Sequence, residues 1–232
     1  MEEDILSVYV IGDLHLALSQ NKPMDIFKGW EGYMEKIEEN WQNMIKPEDS
    51  VVLAGDISWA MKLSDAYEDF SFIERLNGHK YILKGNHDYW WVTQNKINKF
   101  FEENGFKTMS LLHNNSFDIE GINICGSRGW IFENGEAQDK KIINRELGRI
   151  EASLSFMDTQ SPKYLFLHHP PYYDGQEITE FFEVMKKYGV KKCYYGHIHG
   201  DGLKKVYRGE YKGVFLEPIS ADYLKFKPLQ VI

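Results

Sequence analysis

The sequence predicts an α/β fold, arranged as a single domain over residues 1–232, and three observations carry that expectation. Short apolar runs of strand length recur along the chain, most of them closed by a glycine and then a polar cluster. Between them, apolar residues return at intervals of three and four, the spacing of helices with one buried face. No internal repeat, low-complexity tract or linker interrupts the 232 residues, a length suited to one sizeable domain.

Taken in order, residues 5–11 (ILSVYVI) form the first strand and end at Gly12-Asp13-Leu14-His15. In extended backbone, side chains two apart share a side, so Asp13 and His15 are expected to converge just beyond the strand. A loop over residues 16–29 leads to a helix carried by Met34, Ile37, Trp41 and Met44 and ended by Pro47 and Asp49. Residues 50–54 (SVVLA) form the second strand, followed by Gly55-Asp56-Ile57-Ser58-Trp59. Phe70, Ile73 and Leu76 mark a second helix, closed by Gly78. Residues 81–83 form a third strand that opens onto Gly85-Asn86-His87-Asp88, where glycine lets the chain turn sharply; a helix over 90–101 follows.

Between 105 and 126, β-like runs alternate with the polar pairs Asn114-Asn115 and Glu120-Gly121, a texture that predicts antiparallel hairpins. The run INIC then ends in Gly126-Ser127-Arg128-Gly129-Trp130. Ile143, Leu147, Ile150, Leu154 and Met157 give the clearest amphipathic helix. Residues 164–167 form a strand ending in His168-His169-Pro170-Pro171. After a helix around 178–188, residues 192–195 lead to Gly196-His197-Ile198-His199, and strands and turns complete the chain.

Composition narrows the function classes. A net charge of −8 argues against a general nucleic-acid-binding surface, while leaving room for a local positive site made by metal ions. The two cysteines, Cys125 and Cys193, stand far apart in strand-like runs, which suits buried free thiols in a reducing compartment. The acidic N-terminus carries an apolar run too short for a signal or a membrane span, so the expectation is a cytoplasmic protein with no membrane partner.

Five strand ends thus carry Asp13 and His15; Asp56; Asn86, His87 and Asp88; His168; and His197 and His199. Each alone reads equally well as a polar turn, since Gly, Asn and Asp are ordinary turn residues. Nine such groups at one sheet edge are not a turn preference, and that edge is where open α/β sheets bind ligands. Oxygen and imidazole donors without thiolate suit divalent ions such as Mn, Fe or Zn. A carboxylate such as Asp56 can bridge two of them in a hydrolytic centre.

The order GDxH, GDxx, GNHD, HxP, GHxH resembles the calcineurin-like metallophosphoesterase family over residues 12–199. The resemblance implies a four-layer α/β/β/α sandwich and two divalent metal ions. It also implies hydrolysis of phosphate mono- or diesters by in-line attack of a metal-bound hydroxide. By the same resemblance Asp13, His15 and His199 hold one metal, Asp56 bridges, and Asn86, His168 and His197 hold the other. His87 corresponds to the catalytic histidine, and Asp88 is expected to orient it through a hydrogen bond. His169 is expected behind the ligands or facing substrate. Protein Ser/Thr phosphatases continue the second motif as GDxxDRG, and purple acid phosphatases place a metal-binding tyrosine where Trp59 stands, so both subfamilies are disfavoured.

Arg128, in the loop GSRGW, is the basic candidate for a substrate phosphate. Trp59, Trp90, Trp91, Trp130, Tyr172 and Tyr173 adjoin these loops; Tyr172 and its neighbours hint at stacking on a nucleotide-type substrate, although core packing suits most of them. The expected partner is a small soluble phosphate ester. The alternatives are a nuclease, which the charge disfavours, a catalytically silent scaffold, and a dinuclear hydrolase of a non-phosphate ester or amide.

Overall fold

The computed structural model describes residues 6–132, 136–157 and 160–232. The expected strand start at Ile5 lies outside them. Two large mixed sheets face each other, with helices on both outer sides. The first sheet has the order β13-β1-β2-β3-β4, in which β1 (Val8–Ile11), β2 (Ser50–Ala54), β3 (His79–Leu83) and β4 (Met109–Leu111) are parallel. β13 (Leu229–Gln230) pairs antiparallel with β1. In the second sheet β12 (Val214–Pro218), β10 (Lys192–Tyr195), β7 (Lys163–Leu167) and β6 (Ile122–Ser127) are parallel. β11 (Gly209–Tyr211) and β5 (Ser116–Ile119) close its ends antiparallel.

Alternation along the strands explains the layers. Tyr9, Ile11, Val51, Leu53 and Ile82 point outward to α1 (Tyr33–Met44), α2 (Tyr67–Glu74) and α3 (Gln94–Glu103), meeting Ile37, Trp41, Phe70 and Phe101. Their neighbours Val8, Val10, Val52, Ala54 and Leu83 point inward and meet Ile124, Phe166 and Tyr194 of the second sheet. On that sheet's outer face, Cys125, Leu165, Leu167 and Cys193 pack on α4 (Glu136–Ser155) and α5 (Thr179–Lys187) through Ile143, Ile150, Leu154, Phe181 and Met185. The result is the expected α/β/β/α sandwich. Both cysteines are buried and free.

Two expectations are corrected. β4 pairs parallel with β3 as the end of a strand–helix–strand unit, so Asn114-Asn115 connects the two sheets and, within residues 105–126, only β5–β6 forms a hairpin. The third helix begins at Gln94, not at residue 90, because the Trp90 indole turns back to donate to Asp88 Oδ1 at 2.9 Å. Register places the site. Ile11 pairs with Leu53, and Ala54 with Leu83, so three strand ends stand level. Tyr195 pairs with Leu167, which levels Gly196 with His168.

Candidate metal centre

Beyond the strand ends the backbone leaves extended geometry. Asp13, His15, Asp56 and His197 all have positive φ (61°, 46°, 51° and 73°), so local left-handed turns aim these side chains, and the expected two-residue alternation does not. Non-glycine residues in this region cost about 1–2 kcal/mol each. The surrounding lacing holds them there. Asp13 N donates to Gly55 O, His15 N to Asp56 O and Leu16 N to Ile57 O, each at 2.9 Å. His197 N donates to both Asp13 carboxylate oxygens at 3.0 and 3.1 Å, and His87 N to Asp56 Oδ1 at 2.8 Å. Gly85 and Gly196 serve space, not a special φ: a methyl on Gly85 would overlap the Asp56 carboxylate, and one on Gly196 the Asp13 carboxylate.

The turns bring together the residues that the strand-end motifs single out. His15 Nε2 lies 3.4 Å from His199 Nε2 and 3.8 Å from Asp56 Oδ2; His199 Nε2 lies 3.5 Å from Asp13 Oδ1. His168 Nε2 stands 2.6 Å from Asn86 Oδ1 and 3.5 Å from Asp56 Oδ1. Two donors on one ion with bonds of 2.0–2.2 Å sit about 3.0–3.4 Å apart, close to these separations. Asp56 offers one oxygen toward each group. Among the described residues, three donor clusters could hold a metal: Asp13, His15 and His199; Asp13, Asp56 and His168; and His168, His169 and His197.

Outer partners aim the lone pairs. His168 Nδ1 faces the Ala54 carbonyl at 3.1 Å, and His199 Nδ1 faces Asp222 Oδ1 at 2.9 Å. With the ring hydrogen assigned to Nδ1, the His168 Nε2 lone pair meets the Asn86 oxygen. Such an acceptor-to-acceptor contact is resolved by a cation. Electrostatics agree. Burial, then Asp88 and Asp13, pushes the Asp56 carboxyl well above the usual carboxylate range. Burial and His199 hold His15 well below the imidazole range, and burial with His168 brings His197 to about 3. Burial also opposes charge on His199, but Asp13 and Asp222 outweigh it and lift this ring to about 10. Two buried carboxylates, with His199 held toward its charged form and His15, His168 and His197 held toward the neutral form that offers a lone pair, make a donor set that fits a divalent ion.

The remaining candidates divide. His87 is half-buried, its ring 4.5 Å from Trp59 and its Nδ1 3.4 Å from the Tyr89 hydroxyl; burial and then His168 hold it below the imidazole range. The expected hydrogen bond from Asp88 to His87 is not formed among the described residues. Asp88 instead accepts from the backbone N–H of Gly85, Asp56, Ile57 and Ser58 and from the Trp90 indole, so its lone pairs are committed to joining two motif loops.

His169 is fully buried and packs on His197 at 4.2 Å, so it lies behind the ligands and not in substrate's path. Its Nδ1 lies 3.2 Å from the Arg128 carbonyl, while its buried Nε2 has no hydrogen-bond partner among the described residues. Arg128 flanks the centre beside Lys84, His113 and Arg149, and its guanidinium also reaches the buried Glu146 carboxylate at 3.5 Å. Tyr172 is not brought to the site; its ring packs against Tyr207 and Tyr211. Trp90 and Trp130 are buried in the cores, whereas Trp59 stacks on the His15 ring at 4.9 Å and 19°. The residue missed from sequence is Asp222, in the C-terminal segment SADY, which carries no strand-end signature.

A fold of this layering, with histidines and carboxylates gathered at its strand ends, defines the metallophosphoesterase class. The sequence pattern of the calcineurin-like phosphoesterase family matches residues 6–201, and the chain belongs to that family. A 112-residue stretch, 46% of this chain, is 30% identical to the uncharacterized protein MJ1445 of Methanocaldococcus jannaschii and spans 58% of it, little more than half that relative's length. Among solved structures, the phosphopantetheinyl hydrolase PptH of Mycobacterium tuberculosis superposes with a TM-score of 0.58 at 16% identity, covering 97% of this chain and 95% of that one. TT1561 of Thermus thermophilus gives 0.56 at 13% identity (97% and 98% covered), and AQ665 of Aquifex aeolicus, of unknown function, 0.52 at 16% (97% and 95%). At these identities the likeness is one of fold.

Proposed function

We propose that this protein is a dinuclear metal-dependent phosphohydrolase cleaving phosphate mono- or diesters of a small soluble substrate. The observation that carries the reading is the placement of Asp56 between two donor groups, its Oδ2 toward His15 and its Oδ1 toward His168. Asp13, His15 and His199 would hold one ion, Asn86, His168 and His197 the other, and Asp56 would bridge. When bound, the ions would polarise a phosphoryl oxygen and lower the pKa of the attacking water. Mn, Fe and Zn suit the donor set.

The chain's own residues complete the chemistry. His87 N fixes the Asp56 carboxylate, while the His87 ring, with its Nδ1 near the Tyr89 hydroxyl, would protonate the leaving oxygen. An incoming phosphate brings the negative charge that favours the protonated ring. Arg128, with Lys84 and Arg149 beside it and the Glu146 carboxylate offsetting part of their charge, would supply positive potential for the ester's other oxygens. Trp59 packs the His15 and His87 rings in place. No described helix is long and apolar enough to cross a membrane, and the buried free thiols support a cytoplasmic setting.

The test is hydrolysis of p-nitrophenyl phosphate and bis-p-nitrophenyl phosphate by metal-stripped protein reloaded with Mn, Fe, Co, Ni, Zn or Mg. Metal-dependent turnover on either ester is the expected result, and the preferred ester assigns mono- or diesterase character. Protein that binds no metal and turns over neither ester is the result expected of a scaffold.

A further inference from the structure

We infer that the leaving group of the substrate is an apolar body, an alkyl chain or an aryl ring, seated in a chamber beside His87; this rests on the phosphohydrolase reading above. The chamber measures about 450 Å³, within the range of small-molecule sites, and three of its lining residues are His15, His87 and His199. A larger cleft of about 520 Å³ lies against α3, β4 and β5 and touches none of the strand-end cluster, so size alone does not select the site.

Three features give the chamber its chemistry. Its other side-chain walls are Met24, Phe27, Trp30, Trp59 and the Lys28 stem, with no amide, hydroxyl or carboxylate side chain among them. For a nucleobase these walls offer indole and ammonium donors but, the imidazoles apart, no side-chain acceptor for its amino edges, which turns the nucleotide-type expectation toward a plain apolar group. The same surface continues into a recess of about 340 Å³ that shares Met24, Phe27 and Trp59. At its rim Phe27 is 52% and Ile26 75% exposed, an uncovered apolar patch beside a polar centre.

Position assigns the chamber to the leaving group and not to the phosphoryl oxygens. His87, the candidate proton donor to the leaving oxygen, is part of its wall, whereas Arg128, Lys84 and Arg149 line a separate notch with room for about one water. An ester oxygen placed at His87 therefore carries its substituent across Trp59 toward Phe27. Lys22, 4.7 Å above the Trp59 ring, and Lys28 leave the outer end of this path positive.

The experiment is calorimetric titration of metal-loaded protein with inorganic phosphate, the n-alkylphosphonates from methyl to hexyl, and phenylphosphonate. Affinity is expected to rise about fourfold per methylene until the chamber is filled. Phenylphosphonate should bind more tightly than methylphosphonate, and the stronger of the two arms distinguishes a chain from a ring. Phe27→Ala should flatten the series with metal content as in the unsubstituted protein; Phe27 is half exposed, so the variant is expected to fold. Phosphate binding with no dependence on chain length overturns the inference alone, as does a series that Phe27→Ala leaves unchanged. Failure of phosphate and of every phosphonate to bind overturns the phosphohydrolase reading with it.

Discussion

At the scale of single residues, the proposed roles separate groups that would hold metal from groups that would act on substrate. His87 contributes only its backbone N–H to the Asp56 carboxylate, so His87→Asn is expected to keep its metal yet lose roughly 10²–10⁴-fold in kcat. Asp56→Asn should instead lower occupancy at both metal positions. Metal analysis beside turnover separates the two outcomes, and loss of metal in the His87 variant would contradict its assignment. Asp222 acts through another residue: it fixes the His199 ring from 2.9 Å, the carboxylate–histidine–metal arrangement. Asp222→Asn is expected to weaken metal affinity about 10–100-fold with most turnover restored at saturating metal, as read by metal titration followed by assay. An unchanged affinity would remove Asp222 from the site.

At the scale of elements, stability concentrates where loops are joined. Asp88 gathers donors from the β2 and β3 strand-end loops, and an amide in its place offers one acceptor oxygen and adds donors of its own. Asp88→Asn should cost about 2–4 kcal/mol, read by denaturant unfolding, with the midpoint falling at unchanged slope. A neutral outcome would return Asp88 to the role of orienting His87. In β3, Lys80 is fully buried with Nζ on the Leu76 carbonyl at 2.6 Å, and burial brings its pKa down to about 8 from 10.5. Its pKa is lower folded than unfolded. The unfolded chain therefore holds the extra proton between pH 8 and 10.5, and stability rises with pH across that window. Lys80→Met should remove this rise, and unfolding free energies at pH 7.5, 9 and 10 compare the two proteins.

At the scale of the whole molecule, two facing sheets bring their strand ends together around a cluster of buried carboxylates and imidazoles. Asp13 and Asp56 are buried within it, and each is laced to a neighbouring loop. Metal binding should therefore stabilise the fold globally. At an ion concentration 100-fold above the dissociation constant the gain is about 2.7 kcal/mol, roughly 5–10 °C in Tm for a chain of this size. Differential scanning calorimetry with and without chelator checks it, and equal Tm values would argue against a metal centre coupled to the fold.

What the sequence determined by itself is the set of strands and helices, the α/β class and the strand-end donors, because each rests on local information. A hydrophobic run makes a strand with both faces covered, and the motif that follows sits at its end whatever else the chain does. Where local signals allowed two answers, the tertiary structure chose. The run over 109–111 reads as part of a hairpin in isolation, but it found a free parallel edge on β3. Asp13 and His15 converge through left-handed turns held by hydrogen bonds from the second motif, which no two-residue alternation describes. Asp88 reads as a partner for its neighbour His87, yet four backbone N–H groups and one indole arrived at its oxygens first. Asp222 and the chamber walls Phe27 and Trp30 come from segments without strand-end motifs, 23 residues from His199 and within the loop before α1 respectively. Contacts of that kind depend on how the layers close, and closure is a property of the packed chain as a whole.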